Sequence, residues 1–339
     1  MQPNSVALIL TGAVTRGAFE AGVLKVLADR GVVVRQILAA SSGALNGTAY
    51  AAGVRARRET VQADRLVELW LDSGDLCSVL NIRLGALLRG RGVSDQEKLL
   101  ALLRRHVTPC RIPFPQPIGL HIIVTPLRGV EVAIGPWPAT TYVSAVSFQN
   151  EDFDTSSGLE EVFRAATASS AFPGMFTPVD VPGLGPCVDG GFVDGTPLRE
   201  IRSFALGKTV STLLIVAPTP IHADGSQRNY VGLGILGHVI DMLFTERTHH
   251  DMHDVHETNT ILLGLEALAR QRGWGAAEIT DIKSAMGLLD RRVLELVTIR
   301  PQEPLPGGIF SGLTSADIRR RHVQLGMERA TEVLDSLGW

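Results

Sequence analysis

The chain has little cysteine, few aromatic side chains and no marked excess of charge. Its 339 residues contain three cysteines, Cys77, Cys110 and Cys187, which are too far apart to indicate a disulfide framework or a zinc site. The formal net charge of −3 argues against general binding to nucleic acid. The sparse cysteines fit a reducing compartment, and we therefore expect a cytoplasmic protein.

Long hydrophobic runs, linkers and repeats are also lacking. No basic segment precedes an apolar stretch at the N-terminus, so a signal peptide is not expected. The most apolar helical candidate, from Val231 to Phe244, is shorter than the ~20 residues that a membrane span requires. Because no polar linker or low-complexity block interrupts the chain, the sequence predicts one domain over residues 1–339, with a helical C-terminal part over residues 229–339.

A regular alternation of strand and helix patterns is present instead. The apolar run Val6–Leu10 predicts a strand, and a loop and a helix that ends at Gly31 follow it. A second apolar run, which ends at Leu38, predicts the next strand. This strand–helix–strand order implies a parallel sheet with crossover helices. We therefore expect an α/β fold, a three-layer α/β/α sandwich with a mostly parallel central sheet.

Ser41 occupies the turn between the second strand and a helix of small residues that starts at Ala44. A serine on such a turn exposes its hydroxyl at a helix N-terminus, where the helix dipole favours developing negative charge. The small residues Ala39 and Gly43 allow the strand and the helix to approach each other closely. The pattern is typical of a nucleophilic serine and predicts a hydrolase; a serine that only caps the helix is the alternative.

The loop Gly12–Gly17 lies between the first strand and its helix, so its backbone N–H groups lack strand partners. It is not a phosphate-binding P-loop, because Ala18-Phe19 stands in place of Lys-Ser/Thr. It is not a dinucleotide fingerprint either, because Val14 takes the place of a glycine. In a parallel sheet this loop and the Ser41 turn emerge at the same edge, so the loop could supply donors to an oxyanion.

A serine hydroxyl needs a base, and two kinds of candidate remain open. Asp189 precedes the pair Gly190-Gly191, and a carboxylate in a desolvated cleft can accept a serine proton without a histidine. A turn aspartate with no catalytic function is the commoner explanation of this motif alone. The other candidates are three histidines at helical spacing, one of which could complete a triad with Ser41: His249, His253 and His256. A metal site is not indicated by these histidines, because no glutamate stands between them as metalloprotease motifs require.

Three motifs, taken together and in this order, resemble the patatin-like phospholipase family. They are a glycine-rich loop with a basic residue (Gly12–Gly17), a Gly-x-Ser-x-Gly turn (Ala39–Gly43) and an Asp-Gly-Gly turn (Asp189–Gly191). Further parts of the chain are also similar to the family: the stretch Ala168–Pro178, the strand Leu213–Ala217 and the helix bearing Gly326. The resemblance therefore covers most of the chain.

The resemblance implies a patatin-like fold and a Ser41–Asp189 dyad that hydrolyses acyl esters of phospholipids or lysophospholipids through an acyl-enzyme. Asp189 would be the general base, and no metal or organic cofactor is implied. Arg16 matches the family's basic position and would help to order the loop. The oxyanion hole would be built from loop residues Gly12, Ala13, Val14, Arg16 and Gly17, and the two turns would be supported by Gly43, Gly190 and Gly191.

Several residues depart from the family's pattern. Ala13 and Val14 replace two glycines; a positive φ at Val14 would strain this residue and impair the oxyanion hole, whereas a negative φ would leave the donors unchanged. Ala39 replaces the first glycine of the serine turn, and Ser42 adds a second hydroxyl beside Ser41. A catalytically impaired protein that binds lipid or a partner, and an acyltransferase, therefore remain alternatives to a hydrolase.

The segment from Ser73 to Val93 mixes apolar side chains with Arg83, Arg89 and Arg91. It has two interpretations: a lid that contacts lipid, or a loop that covers the core and leaves its arginines in solvent. The first interpretation predicts transient contact with a membrane surface and a peripheral location. Head group, acyl-chain length and oligomeric state have no recognisable motif in the sequence.

Overall fold

Strands and helices alternate along much of the chain. The computed structural model describes residues 5–82, 94–134, 137–194, 210, 212–222, 233–289 and 291–339. The strands are β1 (Val6–Leu10), β2 (Val34–Ala39), β3 (Asn81–Ile82), β4 (Ser94–Asp95), β5 (Gly119–Pro126), β6 (Val130–Ile134), β7 (Trp137–Thr141), β8 (Ser144–Phe148), β9 (Val179–Val181), β10 (Gly185–Asp189), β11 (Thr212–Val216) and β12 (Glu295–Ile299). The helices are α1 (Gly17–Asp29), α2 (Ser42–Arg55), α3 (Glu59–Ser73), α4 (Leu76–Val79), α5 (Glu97–His106), α6 (Ser156–Ser169), α7 (Leu233–Arg272), α8 (Ala276–Ala285) and α9 (Ala316–Leu337).

The main sheet has the strand order β12-β11-β1-β2-β5-β10-β9, and β8 also pairs with β5. All pairs from β12 to β5 are parallel. At the other end, β5 pairs antiparallel with β8 and β10, and β10 pairs antiparallel with β9. The central sheet is therefore mostly parallel, as the sequence predicts, with an antiparallel end.

Helices cover both faces of this sheet. In β1, Leu8 belongs to a buried cluster with residues of α1 and α2, whereas Ile9 belongs to a second cluster against Met252 and Val255 of α7. The alternation arises because successive side chains of a strand point to opposite faces. A parallel sheet is normally buried on both sides in this way. The prediction of a three-layer α/β/α sandwich is confirmed.

Strand β5 brings the ends of two other strands together. β2 pairs with β5 up to Ile122, and β10 pairs with it from Val124 onwards. Both Ile122 and Val124 also pair with β8, so β2 and β10 must both lie on the edge of β5 opposite β8. The two strands therefore meet end to end beside Ile123. The residues that follow β2 and those that end β10 are thus placed next to each other.

The helix α7 extends beyond the apolar run that predicts it. The apolar run from Val231 to Phe244 predicts a helix in a region of long helices, and α7 is 40 residues long and continues beyond this run to Arg272. No proline interrupts the polar second half of this helix, so nothing ends it where the apolar run ends. Within the described residues, no helix combines the length and the hydropathy needed to cross a membrane.

The segment from Ser73 to Val93 is described up to Ile82, and the three arginines considered for a lid lie outside the described residues. Asp75 caps α4 by accepting hydrogen bonds from two backbone N–H groups of its first turn, at 2.8 and 3.0 Å. Leu80 is buried in the same apolar cluster as Phe172. The described part of the segment therefore packs on the core.

Candidate active site

Ser41 lies at the turn between β2 and α2, at the carboxyl edge of the sheet. Its backbone has φ 55° and ψ −133°, a conformation that costs energy for a residue with a side chain. Its N–H donates to Ser169 Oγ at 2.9 Å, and that hydroxyl donates to the carbonyl oxygen of Ile123 at 2.6 Å. Hydrogen bonds to α6 and β5 thus secure the strained turn.

The Ser41 hydroxyl donates a hydrogen bond to Asp189 Oδ2 at 2.7 Å, and both side chains are buried. Asp189 ends β10, which meets the end of β2 along β5. The second carboxylate oxygen, Oδ1, accepts from Gly191 N–H at 2.8 Å. The Asp189 carbonyl accepts from Thr125 Oγ1 at 3.0 Å. The tertiary structure thus brings together the two residues that the sequence predicts as a dyad.

Burial raises the pKa of Asp189 to about 7, because the charged carboxylate loses its hydration. The hydrogen bonds from Ser41 and from Gly191 N–H act in the opposite direction, since they stabilise the charged form. A carboxyl group with this pKa is partly ionised at neutral pH, and its carboxylate can take a proton from a neighbouring hydroxyl. The pair has the geometry and the proton affinity of a nucleophile with its base.

Glycines at both turns permit close backbone contacts. A Cβ at Gly190 would lie 2.0 Å from the carbonyl oxygen of Ile123, and one at Gly43 would lie 2.6 Å from the carbonyl oxygen of Leu10. Because these neighbours are backbone atoms of the sheet, they cannot move aside easily. A side chain at either glycine would push the serine turn or the aspartate turn away from the strands that hold it.

The predicted oxyanion loop follows β1 and includes a 3₁₀ turn, Val14–Arg16. Gly12 N–H donates to Glu20 Oε1 at 2.8 Å, and Ala13 N–H donates to Ser42 Oγ at 3.1 Å. Two of the predicted oxyanion donors are therefore engaged in hydrogen bonds within the protein.

The remaining predicted donors differ from one another. The N–H groups of Arg16 and Gly17 bond to carbonyl oxygens of the loop itself. In the part of the chain that the structure describes, no group accepts a hydrogen bond from Val14 N–H. Val14 also lines the cavity that contains Ser41 and Asp189. Of the five predicted residues, Val14 thus has the amide that is available to an oxyanion.

Glu20 of α1 anchors the oxyanion loop, although no sequence motif marks it as a site residue. It is completely buried, and its Oε2 accepts from Asn46 Nδ2 at 2.9 Å while Oε1 accepts from Gly12 N–H. The Asn46 side chain in turn accepts from Trp70 Nε1 at 2.9 Å. Burial raises the pKa of Glu20 to about 8. The network connects the loop to three helices.

One signal in the sequence could have revealed this anchor. Glu20 stands beside Phe19 and three residues before Val23, so it falls on the apolar face of α1. A carboxyl group is rarely buried without a partner, because its desolvation is costly. An acidic residue on that face therefore predicts buried donors next to it, but the sequence cannot name them.

A family model for patatin-like phospholipases matches residues 8–201, which is more than half of the 339 residues and includes Ser41 and Asp189. The chain belongs to the patatin-like phospholipase family. Among solved structures, the crystal structure of VipD from Legionella pneumophila is similar, with 12% identity and a TM-score of 0.41, over 98% of this chain and 67% of that chain. A search of curated proteins finds no match. Membership of the family makes lipid acyl hydrolase the general class of this protein.

In this patatin-like protein, Val14 has a positive φ of 50°. The condition under which the sequence predicts strain is therefore met, and a β-branched residue in this region costs on the order of 1–3 kcal/mol. Ala13 is not strained in this way, because its φ of 178° is extended. The alanine that replaces the first glycine of the serine turn, Ala39, is accommodated by Gly47 of α2, where an added Cβ would lie 3.2 Å from the alanine methyl.

Arg16 connects the loop of this patatin-like protein to α7. Its guanidinium is buried and donates to both carboxylate oxygens of Asp241, at 2.7 and 3.0 Å. A two-pronged contact of this kind fixes orientation as well as distance. It gives a physical basis for the expectation that Arg16 orders the loop.

Two of the histidines that the sequence offers as a base, His249 and His253, contact charged side chains instead of Ser41 or Asp189. His249 Nε2 lies 3.1 Å from the Arg300 guanidinium, and His253 Nε2 lies 3.2 Å from a Glu257 carboxylate oxygen. None of the described histidines bonds to Ser41 or Asp189. The histidine triad considered from the sequence is therefore not formed by these residues.

One group on the same helix has ligand-type atoms within 4.8 Å of one another: His250, Asp251 and Asp254. Groups of this kind are common on protein helices without a bound ion, and the arrangement alone does not indicate a metal site.

Ser41 and Asp189 face a cavity of about 80 Å³. Its walls are largely apolar, and they include residues of α2, of α5 and of the segment after α6: Leu45, Leu99, Phe172, Met175 and Phe176. The Phe172 ring packs edge-on against Phe192, with ring centroids 5.1 Å apart. Apolar walls of this kind exclude water and suit a hydrocarbon chain.

Proposed function

We propose that the protein hydrolyses acyl esters of phospholipids or lysophospholipids with a Ser41–Asp189 dyad. The observation that carries this proposal is the 2.7 Å hydrogen bond from the Ser41 hydroxyl to Asp189, buried beside an apolar cavity. Membership of the patatin-like phospholipase family supports lipid as the substrate class.

In the proposed reaction, the Asp189 carboxylate takes the proton of Ser41 as the hydroxyl oxygen attacks the ester carbonyl. The resulting tetrahedral intermediate collapses, and Asp189 returns the proton to the departing alcohol, which leaves an acyl-enzyme. Asp189 then takes a proton from water as the water oxygen attacks this ester, the bond between the acyl carbon and Ser41 Oγ breaks, and the proton returns to Ser41 as the fatty acid leaves. A base with a pKa of about 7 works well near neutral pH, because both protonation states are populated there.

The carbonyl oxygen becomes negative in the intermediate and needs donors. We assign Val14 N–H to this function, since it borders the cavity and has no other acceptor among the described residues. Ala13 N–H would join it by exchanging Ser42 Oγ for the oxyanion. The N-terminus of α2, which begins directly after Ser41, adds a favourable dipole.

We also propose a cytoplasmic location with transient contact at membrane surfaces. The cysteines Cys77, Cys110 and Cys187 are free, which fits a reducing compartment such as the cytoplasm. Because the substrate class is lipid, the protein would contact membrane surfaces transiently while it takes up its substrate. Fractionation of cells that express the full chain, followed by detection of the protein in each fraction, tests this location.

Labelling with a fluorophosphonate tests the dyad directly, because the probe reacts only with an activated serine. We expect stoichiometric labelling of Ser41, located by mass spectrometry, and none in the Ser41→Ala variant. Ser42→Ala distinguishes the two neighbouring hydroxyls: it should lose the contact to Ala13 N–H but keep the label on Ser41. Labelling of Ser42 in the wild-type protein would refute the assignment.

A catalytically impaired lipid-binding protein is the second candidate, and the positive φ of Val14 favours it. In this case the folded protein would bind lysophospholipid without turnover and without labelling by fluorophosphonate. An acyltransferase would use the same residues but deliver the acyl group to an alcohol. Analysis of the products with and without added alcohol separates it from a hydrolase.

A further inference from the structure

A second apolar cavity, which we call the inner cavity, adjoins the Ser41 cavity. It has a volume of about 90 Å³ and lies between α2, α3 and α5. Ala49, Leu66 and Leu103 line the inner cavity, and none of them lines the Ser41 cavity. The two cavities share one wall, formed by Leu45, Trp70, Gly74, Val79 and Leu99. An acyl chain held at Ser41 would therefore enter the inner cavity by passing between the side chains that line both cavities.

The inner cavity leads away from the dyad along one face of α5. Leu99, Leu102, Leu103 and His106 line it, at spacings of three and four residues that place side chains on one side of a helix. Leu99 also lines the Ser41 cavity, whereas His106 does not. At ~1.5 Å per residue, the helix rises about 10 Å between these two residues. The inner cavity thus extends the space beside Ser41 by a length suited to a chain.

The lining of the inner cavity excludes a charged head group. Among the residues that the structure describes, this lining contains no lysine, arginine, aspartate or glutamate. Its polar side chains carry no charge: the Asn46 amide is engaged by Glu20 and Trp70, Ser73 has a neutral hydroxyl, and burial lowers the pKa of His106, which favours the neutral imidazole. A phosphate would lose its hydration there without gaining a cationic partner among the described residues, whereas a hydrocarbon chain has no such hydration to lose.

We propose that the inner cavity binds the distal part of the substrate's acyl chain and makes the protein selective for long-chain acyl esters. The proposal rests on the proposed function, because the chain must be attached to the carbonyl group held at Ser41. Trp70, fixed by its hydrogen bond to Asn46, borders the crossing point between the two cavities.

Transfer of a methylene group from water to an apolar site favours binding by about fourfold, equivalent to ~0.8 kcal/mol. The acyl chain should therefore raise kcat/KM with each methylene group until the cavities are filled. Acetyl esters should reach only the space beside Ser41, whereas octanoyl and palmitoyl chains should enter the inner cavity, and the end of the palmitoyl chain should extend beyond it.

The test is a chain-length series on the full chain. We would measure kcat/KM for p-nitrophenyl acetate, octanoate and palmitate with the wild-type protein and with Ala49→Leu, which fills the inner cavity without touching the Ser41 cavity. The wild-type protein should prefer palmitate over acetate by at least about a hundredfold, a modest part of the gain that fourfold per methylene would allow. Ala49→Leu should lose at least tenfold of this preference and hydrolyse acetate within about twofold of the wild-type rate.

A second pair of variants covers the case in which Ala49→Leu fails to fold. Leu102 is half-buried and lines the inner cavity, and its neighbour Ala101 is exposed on the same helix and lines neither cavity. Leu102→Trp should therefore reduce hydrolysis of palmitate selectively, while Ala101→Trp should leave the whole series unchanged. A preference for palmitate that survives in Ala49→Leu or Leu102→Trp would overturn the proposal.

A binding measurement separates this inference from the proposed function. The Ser41→Ala variant, which cannot turn over, should bind a fluorescent long-chain fatty acid saturably, and the added Ala49→Leu change should weaken binding by at least tenfold. If binding follows this pattern but no ester is hydrolysed by wild type, the inner cavity is a chain site and the proposed function is wrong. If all esters are hydrolysed at similar rates, the dyad stands and the proposed selectivity is wrong.

Discussion

Two segments that border the same cavity each contain a residue with a side chain at positive φ, and they differ in how that strain is supported. Ser41 has φ 55° and Val14 has φ 50°. The Ser41 turn is held by Ser169 and is surrounded by small residues, and its strain presents the hydroxyl to Asp189. At Val14 the strained residue is β-branched, and its N–H lacks an acceptor among the described residues.

The comparison shows that strain can be tolerated by two different means. The serine turn is supported locally, by the hydrogen bond from Ser41 N–H to Ser169 Oγ and by small neighbouring residues. The oxyanion loop is supported at its ends: Glu20 holds Gly12, and the contact between Arg16 and Asp241 holds the other end. Ends fixed in this way keep Val14 in a conformation that valine alone would avoid. The predictions below separate the two kinds of support, beginning with the largest effect.

Removal of either member of the dyad should nearly abolish activity. Ser41→Ala and Asp189→Asn should each lower kcat for a short acyl ester by about a thousandfold or more, because the first removes the proposed nucleophile and the second removes its base. The measurement is ester turnover, with circular dichroism as the control for folding. Substantial turnover in either folded variant would show that the two turns do not form one site.

Gly190→Ala should disrupt the aspartate turn. An added Cβ would lie 2.0 Å from the Ile123 carbonyl oxygen, so we expect a loss of roughly 3 kcal/mol or more in the free energy of unfolding, together with loss of activity. Gly264→Ala of α7 is the matched control, since nothing lies within 4 Å of its added Cβ, and it should stabilise the helix by about 0.5–1 kcal/mol. Denaturant titration compares the unfolding free energies of the two variants. Equal changes in both would show that the contact with the Ile123 carbonyl does not restrict the residue at position 190.

Glu20→Gln should weaken the support of the oxyanion loop. The new amide has an NH₂ group in place of one carboxylate oxygen. Its remaining oxygen can still accept from Gly12 N–H, but its NH₂ group then faces the NH₂ group of Asn46, and two donors cannot form a hydrogen bond. We expect kcat for the acetyl ester to fall about tenfold at unchanged KM, because the loop's anion donors act in the transition state. Glu97→Gln on the exposed face of α5 is the control. A change confined to KM would argue against this function of the anchor.

The pH dependence should report the base. Since the pKa of Asp189 is raised to about 7, kcat/KM should fall about tenfold per pH unit below this value, as the carboxylate becomes protonated.

The same pKa shift also makes the free energy of unfolding depend on pH. The folded state holds this proton up to higher pH than the unfolded state, so Asp189 makes the protein less stable as pH rises from about 4 to about 7. Asp189→Asn should therefore be more stable than the wild type above pH 7, and a flat rate profile would contradict the assigned base.

Val14→Gly should have the smallest effect, and it should increase turnover where the other variants reduce it. Glycine adopts positive φ without strain, and this gain is offset by lost apolar packing and by the flexibility of glycine in the unfolded chain. We expect the free energy of unfolding to change by less than about 1 kcal/mol and turnover to increase a few-fold, which is equivalent to less than ~1 kcal/mol and thus to part of the strain of about 1–3 kcal/mol. Reduced turnover in a stable variant would show that the valine positions the loop amide better than glycine does.

Much of the site follows from sequence patterns that act over short distances. The turn at Ser41 was predictable because apolar strand, small residues and helix succeed one another within a few positions. Asp189 was predictable as a turn residue, and its pairing with Ser41 followed from the family resemblance. Glu20 and the Arg16–Asp241 contact were not predicted, because their partners come from distant parts of the chain and no local rule selects them.

By itself, the sequence determined the layered α/β fold, the turn at Ser41 and the aspartate turn, because each depends on periodicity and on residue size within a short segment. Only the tertiary structure decided that β2 and β10 meet end to end on β5, that φ at Val14 is positive, and which amides remain available beside the serine. These features depend on strand register and on buried hydrogen bonds between distant residues, so they are set when the layers pack together.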